Sequence, residues 1–152
     1  MAICTEVGML STVEKVLLLK RMELFKQIPG VELARIAQIT REVVFAAGDA
    51  LMTEGDIGDA AYLIVEGEVV VQAGGVPVAN LGKDQCVGEM AILDSEPRSA
   101  TVVASSAVRA LVIEREDFYD ILHERAEISL GIIQVLTRRL RAELKKHSAP
   151  GG

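Results

Sequence analysis

Two side chains in this 152-residue sequence, Glu89 and Arg98, have the type and setting for chemistry. Both lie in residues 87–103, Val-Gly-Glu-Met-Ala-Ile-Leu-Asp-Ser-Glu-Pro-Arg-Ser-Ala-Thr-Val-Val, between two stretches that read as β-structure. Gly88 removes a side chain where a single helical turn, 89–93, would begin, so backbone amides there can approach an anion closely. Pro97 fixes the backbone just before Arg98, whose planar guanidinium makes paired, charge-assisted bonds to an oxyanion, and Ser99 adds a hydroxyl donor. Glu89 is out of place in a pure anion site. A carboxylate is, however, a good acceptor for a sugar hydroxyl, so the pair asks for a ligand carrying both phosphate and sugar. Alone, a Gly-Glu step is usually a turn before a solvated acid and Pro-Arg-Ser is usually surface loop; the joint spacing carries the reading.

Other chemistries find little support. His123 and His147 lie far apart on expected helices, so no convergent metal set can be built from them. No Ser/His/Asp arrangement, pair of catalytic acids or phosphate-binding P-loop emerges, and no catalysis is expected. Cys4 and Cys86 belong to no CxxC pair and are too few for a disulfide scaffold, so Cys86 reads as a small buried residue and a reducing cytoplasm is the expected compartment. A formal net charge of -6 argues against a broad nucleic-acid footprint while leaving room for one small anion in a local positive field. The apolar runs, such as 16–19 between Lys15 and Lys20, fall far short of the roughly 20 residues that span a bilayer, and residues 1–10 have no basic leader.

The surrounding sequence supplies the elements that must hold this segment. Ser11 and Glu14 have capping-box spacing before a Leu-rich helix expected to reach about residue 22. A second short helix is expected from the apolar recurrence over 31–39, after Pro29-Gly30. From Thr40 the texture becomes short Val/Ile/Leu segments broken by Gly-containing turns, among them a two-strand reading over 62–71 and a hairpin turn at Gly74-Gly75. Strands are also expected at 101–104 and 108–113. Helical periodicity returns near Glu114 and continues through Ile128, Ile132, Leu136, Leu140 and Leu144 at four-residue steps, in a helix whose C-terminal half is basic. The expected fold is mainly β with flanking α-helices: about eight short strands in a β-roll or jelly-roll barrel, carrying N-terminal and C-terminal helices. Residues 11–147 form the expected single domain, with loose termini at 1–10 and 148–152.

The segment resembles the phosphate-binding cassette of cyclic-nucleotide-binding domains, whose pattern is close to G-E-x-A-L-x-x-x-x-P-R-x-A-T-V; here it reads Gly88-Glu-Met-Ala-Ile and Pro97-Arg-Ser-Ala-Thr-Val102. Residues 45–49 and 54–69 resemble that family's glycine-marked strands, and the match runs over about 22–140. The resemblance implies a β-roll with a short cassette helix holding a cyclic purine nucleotide. Arg98 would take the phosphate oxygens and Glu89 the ribose 2'-hydroxyl, with contacts from Gly88, Met90, Ala91 and Ser99. Ile64 and Val71 are implied as apolar contacts to the base, though both also read as ordinary core. A lid is implied around 140–144, with Leu144 as its candidate.

The implied role is a non-catalytic regulatory domain with cAMP as the favoured ligand and cGMP as the alternative. No cofactor and no metal is implied. Ligand binding would move the C-terminal helix and act on an output domain or protein not encoded in this chain, since no helix-turn-helix follows. A ligand-independent interaction or dimerisation module, using residues 16–19 or the C-terminal helix, stays open, as does a homodimer.

Overall fold

The computed structural model describes residues 10–148. The chain opens with helix α1 (Thr12–Leu19), a 3-10 turn at Glu23–Phe25 and helix α2 (Gly30–Ile39). The capping box forms as expected: the Ser11 hydroxyl accepts the Glu14 N–H at 3.2 Å, and the Glu14 carboxylate accepts the Ser11 N–H at 3.4 Å. The helix stops at Leu19 rather than near residue 22, because Arg21 and Met22 donate to the i−3 carbonyls of Leu18 and Leu19 and tighten the chain into a turn.

Eight strands follow: β1 (Arg41–Phe45), β2 (Ala50–Met52), β3 (Ala60–Glu66), β4 (Val69–Ala73), β5 (Val76–Leu81), β6 (Cys86–Val87), β7 (Thr101–Ala104) and β8 (Val108–Glu114). They form two antiparallel sheets, ordered β1-β8-β3-β6 and β2-β7-β4-β5. Gly74 and Gly75 turn the β4–β5 hairpin with φ of 60° and 79°, values that glycine adopts without a Cβ penalty. Between β6 and β7 lies a 3-10 helix, Glu89–Ile92, here called the cassette helix. The chain ends in α3 (Arg115–Glu124) and α4 (Ala126–Ser148).

The strand period of two sorts side chains into two cores. On β3, Ala61, Leu63 and Val65 face the helices, together with Leu111 and Ile113 of β8. The alternate residues Ala60 and Ile64, with Val108, Ala110 and Val112 and their sheet neighbour Val43, point between the sheets toward Val69 and Val102. Because this sheet is covered on both faces, β3 and β8 read as nearly continuous apolar runs. Phe25 and Phe118, both fully buried with ring centroids 5.7 Å apart, join the N-terminal 3-10 turn to α3, each contributing about 1.5–3 kcal/mol of burial. The α2 carboxylate of Glu32 receives both Nε (3.0 Å) and Nη2 (2.9 Å) of Arg125 at the α3–α4 junction. That pair holds Glu32 below the usual carboxylate range, chiefly through the Arg125 hydrogen bonds.

Of the termini expected to be loose, residues 1–9 and 149–152 lie outside the described residues, as does Cys4. The Leu10 N–H donates to Glu42 at 3.1 Å. Among the described residues, no helix is long and apolar enough to cross a membrane, and no cluster of three or more His, Cys, Asp or Glu is placed to hold a metal ion.

Candidate functional site

The turn between β2 and β3 and the loop after the cassette helix fix Arg98 by backbone bonds. The Arg98 N–H donates to Asp56 O (2.7 Å), Gly55 N–H donates to Arg98 O (2.9 Å), and Gly58 N–H donates to Glu96 O (3.2 Å). An isolated bridge between Ile57 and Pro97 completes this short ladder. The guanidinium then turns inward, and its Nη2 donates to the carbonyl of Ala60 at 2.6 Å.

Two glycines make room for it. Gly88 caps the cassette helix with φ 75° and ψ 21°. A Cβ there would overlap Nη1 of Arg98 and come within 2.9 Å of Ala60 O. At Gly58 a Cβ would lie 2.7 Å from the Ala91 Cβ and 3.0 Å from Cζ and Nε of Arg98. At Gly88 a side chain would overlap the guanidinium, and at Gly58 it would overlap Ala91 and crowd the arginine, so both glycines leave the space that Arg98 and the cassette helix occupy.

Arg98 opens on a cavity of about 460 Å³ between the cassette and the β2-β7-β4-β5 sheet, within the range of about 300–1,000 Å³ usual for small-molecule sites. Six of the nine residues singled out in the sequence line it: Val71, Gly88, Met90, Ala91, Arg98 and Ser99. The apolar wall also contains Met52, Leu81 and Val102, which the sequence reading missed. Register brings them there, with Val71 opposite Val102 and Val102 opposite Met52. No motif marks such residues, because cross-strand pairing is not written locally. Asp94 and Glu96 add exposed carboxylates at the rim.

Three expected site residues lie elsewhere. Ile64 is fully buried between the sheets and lines no part of the cavity, because its position on β3 points it into the barrel interior. Leu144, in the last turns of α4, is 58% exposed and also outside the cavity. Glu89 is not among the lining residues; its carboxylate instead accepts the Leu24 N–H at 2.7 Å, drawing it toward the N-terminal 3-10 turn. Burial, with the neighbouring Glu89 charge adding to it, pushes the Cys86 thiol up, so it stays protonated and a poor nucleophile.

Helix α3 grips the far end of the cassette. The Tyr119 hydroxyl donates to Leu93 O at 2.8 Å, and Nη1 of Arg115 donates to both Gly58 O (2.5 Å) and Asp94 O (3.1 Å). Nη1 of Arg139 on α4 lies 4.0 Å from the Met90 sulfur. A second cavity of about 480 Å³, lined by Arg41, Phe45, Tyr62 and Arg115 among others, contains none of the nine expected residues.

Residues 42–125 match the model of the cyclic nucleotide-binding domain, and the chain belongs to that family. It is 34% identical over 134 residues to the cAMP-dependent protein kinase regulatory subunit of Aspergillus niger, covering 87% of this chain and 30% of that protein. It is 32% identical over 120 residues to the CRP-like cAMP-activated global transcriptional regulator of Mycobacterium tuberculosis, covering 74% of this chain and 54% of that protein. The chain thus spans about a third to a half of the length of these relatives. Among solved structures, the N-terminal domain of a transcriptional regulator from Streptomyces coelicolor A3(2) superposes with a TM-score of 0.78 at 30% identity, covering 83% of this chain and 94% of that one. The fold is therefore the family's β-roll.

Proposed function

We propose that this chain is a regulatory domain that binds a cyclic purine nucleotide, with cAMP preferred, and passes occupancy to its C-terminal helices. The observation that carries the reading is Arg98, held by Ala60 O between Gly58 and Gly88 with its guanidinium at the cavity. Such a guanidinium is pre-organised for the exocyclic phosphate oxygens, so little rotamer entropy is lost on binding. The phosphate would sit against the start of the cassette helix, with Gly88, Met90, Ala91 and Ser99 around it, and the base against Val71. Glu89 would give an oxygen to the ribose 2'-hydroxyl. The domain would work without catalysis on an attached or associated output, in keeping with the names of the two relatives.

The route outward follows the bonds already described. A cassette that shifts on binding pulls on Leu24 through Glu89, on α3 through Tyr119 and Arg115, and on α4 through the Met90 contact. Binding that favours one arrangement of these contacts biases the helices between two states.

The preference for cAMP rests on the apolar wall. Met52, Val71, Leu81 and Val102 offer guanine's extra polar groups no partner, and a buried group left unpaired costs about 1–3 kcal/mol. Ser99 favours the cGMP alternative, since it lines the cavity next to Arg98 and carries a hydroxyl that guanine could use. Parallel calorimetric titrations of cAMP and cGMP at one salt concentration test the proposal: cAMP binding at least as tightly is the expected result. A cGMP affinity tenfold or more higher, lost in Ser99→Ala, overturns the preference.

A further inference from the structure

The cleft between α4 and the N-terminal 3-10 turn collects more positive charge than the fold uses. Along α4 the face that packs on the domain carries Ile128, Ile132 and Val135, all buried. At about 100° per residue the same face continues through Arg138, Arg139 and Ala142, and these form one wall of a cavity of about 250 Å³. Glu23, Lys26 and Gln27, in and just after the turn, form the other wall. The inner face of the helix thus changes from apolar to cationic where it meets a further cation. Three cations line the cleft against one carboxylate, and that carboxylate already serves Lys26, whose Nζ lies 3.0 Å from Glu23 Oε2. Among the described residues, the Arg138 guanidinium has no hydrogen-bond or ion-pair partner, and Arg139 has only the 4.0 Å contact with the Met90 sulfur. The helix macrodipole does not account for the two arginines. Its effect is confined to the last turn, and Arg138 lies about 15 Å before the helix end at Ser148.

We propose that this cleft is a second anion site, separate from the Arg98 cavity, and that it takes a compact ion of two or three linked phosphates. Like charges on two facing elements repel, and an anion between them turns that repulsion into attraction. Arg138 offers a planar fork for two phosphate oxygens, Lys26 a compact ammonium, and the Gln27 side-chain amide two further N–H donors. These donors stand on both walls, so a short phosphate chain meets both at once, whereas a single phosphate reaches fewer. The volume of about 250 Å³ lies below the roughly 300–1,000 Å³ usual for small-molecule sites, which leaves no room for a nucleoside as well. Bound there, the ion ties α4 to the turn whose Leu24 amide holds Glu89. This inference does not depend on which nucleotide the domain binds.

Calorimetric titration of sodium tripolyphosphate into the whole chain, at constant ionic strength and without divalent cations, tests it. Saturable binding is expected, with orthophosphate weaker. Arg138→Gln and Lys26→Gln should each weaken tripolyphosphate by about tenfold, the loss of one charge-assisted contact. Their thermal transitions should not change, since both side chains are exposed. Arg98→Ala should retain the site, because it alters only the nucleotide cavity. Arg141→Gln should also retain it, since it removes an equal charge from another face of the same helix. Absence of saturable binding to the wild-type chain overturns the proposal. So does a loss in Arg98→Ala with none in Arg138→Gln and Lys26→Gln, which would place the ion in the nucleotide cavity. A loss in Arg141→Gln equal to that in Arg138→Gln overturns it as well, since the attraction would then belong to the basic helix as a whole.

Discussion

The carboxylate of Glu89 accepts the N–H of Leu24 at 2.7 Å, joining the cassette helix to the N-terminal 3-10 turn across 65 positions of sequence. A carboxylate offers about four lone-pair sites, so one group can serve a backbone amide and a sugar hydroxyl together. If Glu89 reads the ribose, the ligand and the N-terminal helices share one side chain, and any displacement of that carboxylate is felt at both.

Glu89→Gln retains an acceptor for the Leu24 amide but loses the charge. It should weaken cAMP binding by about 1.5–3 kcal/mol, the range for hydrogen bonds to charged groups, and weaken the 2'-deoxy analogue less. Calorimetric titration of both ligands into both proteins checks this. Equal losses for the two ligands would mean that Glu89 supports the pocket without reading the sugar.

Gly88→Ala should lower stability by about 1–2 kcal/mol for the left-handed backbone alone and should also displace Arg98, since the new Cβ overlaps Nη1. Gly74 is the control: its φ is also positive, but a Cβ there meets nothing within 4 Å. Gly74→Ala should cost stability and leave cAMP affinity unchanged, whereas Gly88→Ala should lose both. Denaturant midpoints and titrations on the two variants separate backbone strain from damage to the arginine. Equal affinities in the two variants would remove Gly88 from the account.

Glu32 is held below its ordinary range by Arg125, and in the unfolded chain it returns to the ordinary carboxylate range. Its depressed folded pKa means that its contribution is fully present above the unfolded value and is lost as pH falls through the folded one. The thermal midpoint of wild type should therefore exceed that of Glu32→Gln at neutral pH, and the gap should close progressively in acid. Melting curves of both proteins over a pH series test this; a gap independent of pH would deny the ion pair its role at the α2 to α3–α4 junction.

The turns, the capping box and the cassette were legible because each is written in adjacent residues: Ser11 with Glu14, Gly74 with Gly75, Gly88 through Arg98. What the sequence could not reveal was register and facing. Met52 and Val102 enter the cavity wall only because β2, β7 and β4 align them with Val71, and Ile64 leaves it because β3 turns that position inward. The four-residue steps through Leu136, Leu140 and Leu144 misled for a geometric reason. Each step advances 400° and drifts about 40° around the helix, so a stripe that starts buried at Ile128 has rotated into solvent by Leu144. The partner of Glu89 was hidden because the Leu24 amide is a backbone group without a sequence signature.

The phosphate of a cyclic nucleotide is proposed to bind Arg98, and calorimetric titration of cAMP into wild type and Arg98→Ala reads that contact. Losing the charge-assisted partner of a buried phosphate costs about 2–5 kcal/mol, so the variant should bind at least about thirtyfold more weakly while keeping a cooperative thermal transition. Arg98→Lys should recover part of that loss, since it restores the charge without the planar fork. Unchanged cAMP affinity in a folded Arg98→Ala variant, or no binding of cAMP or cGMP to the wild-type chain, would contradict the account.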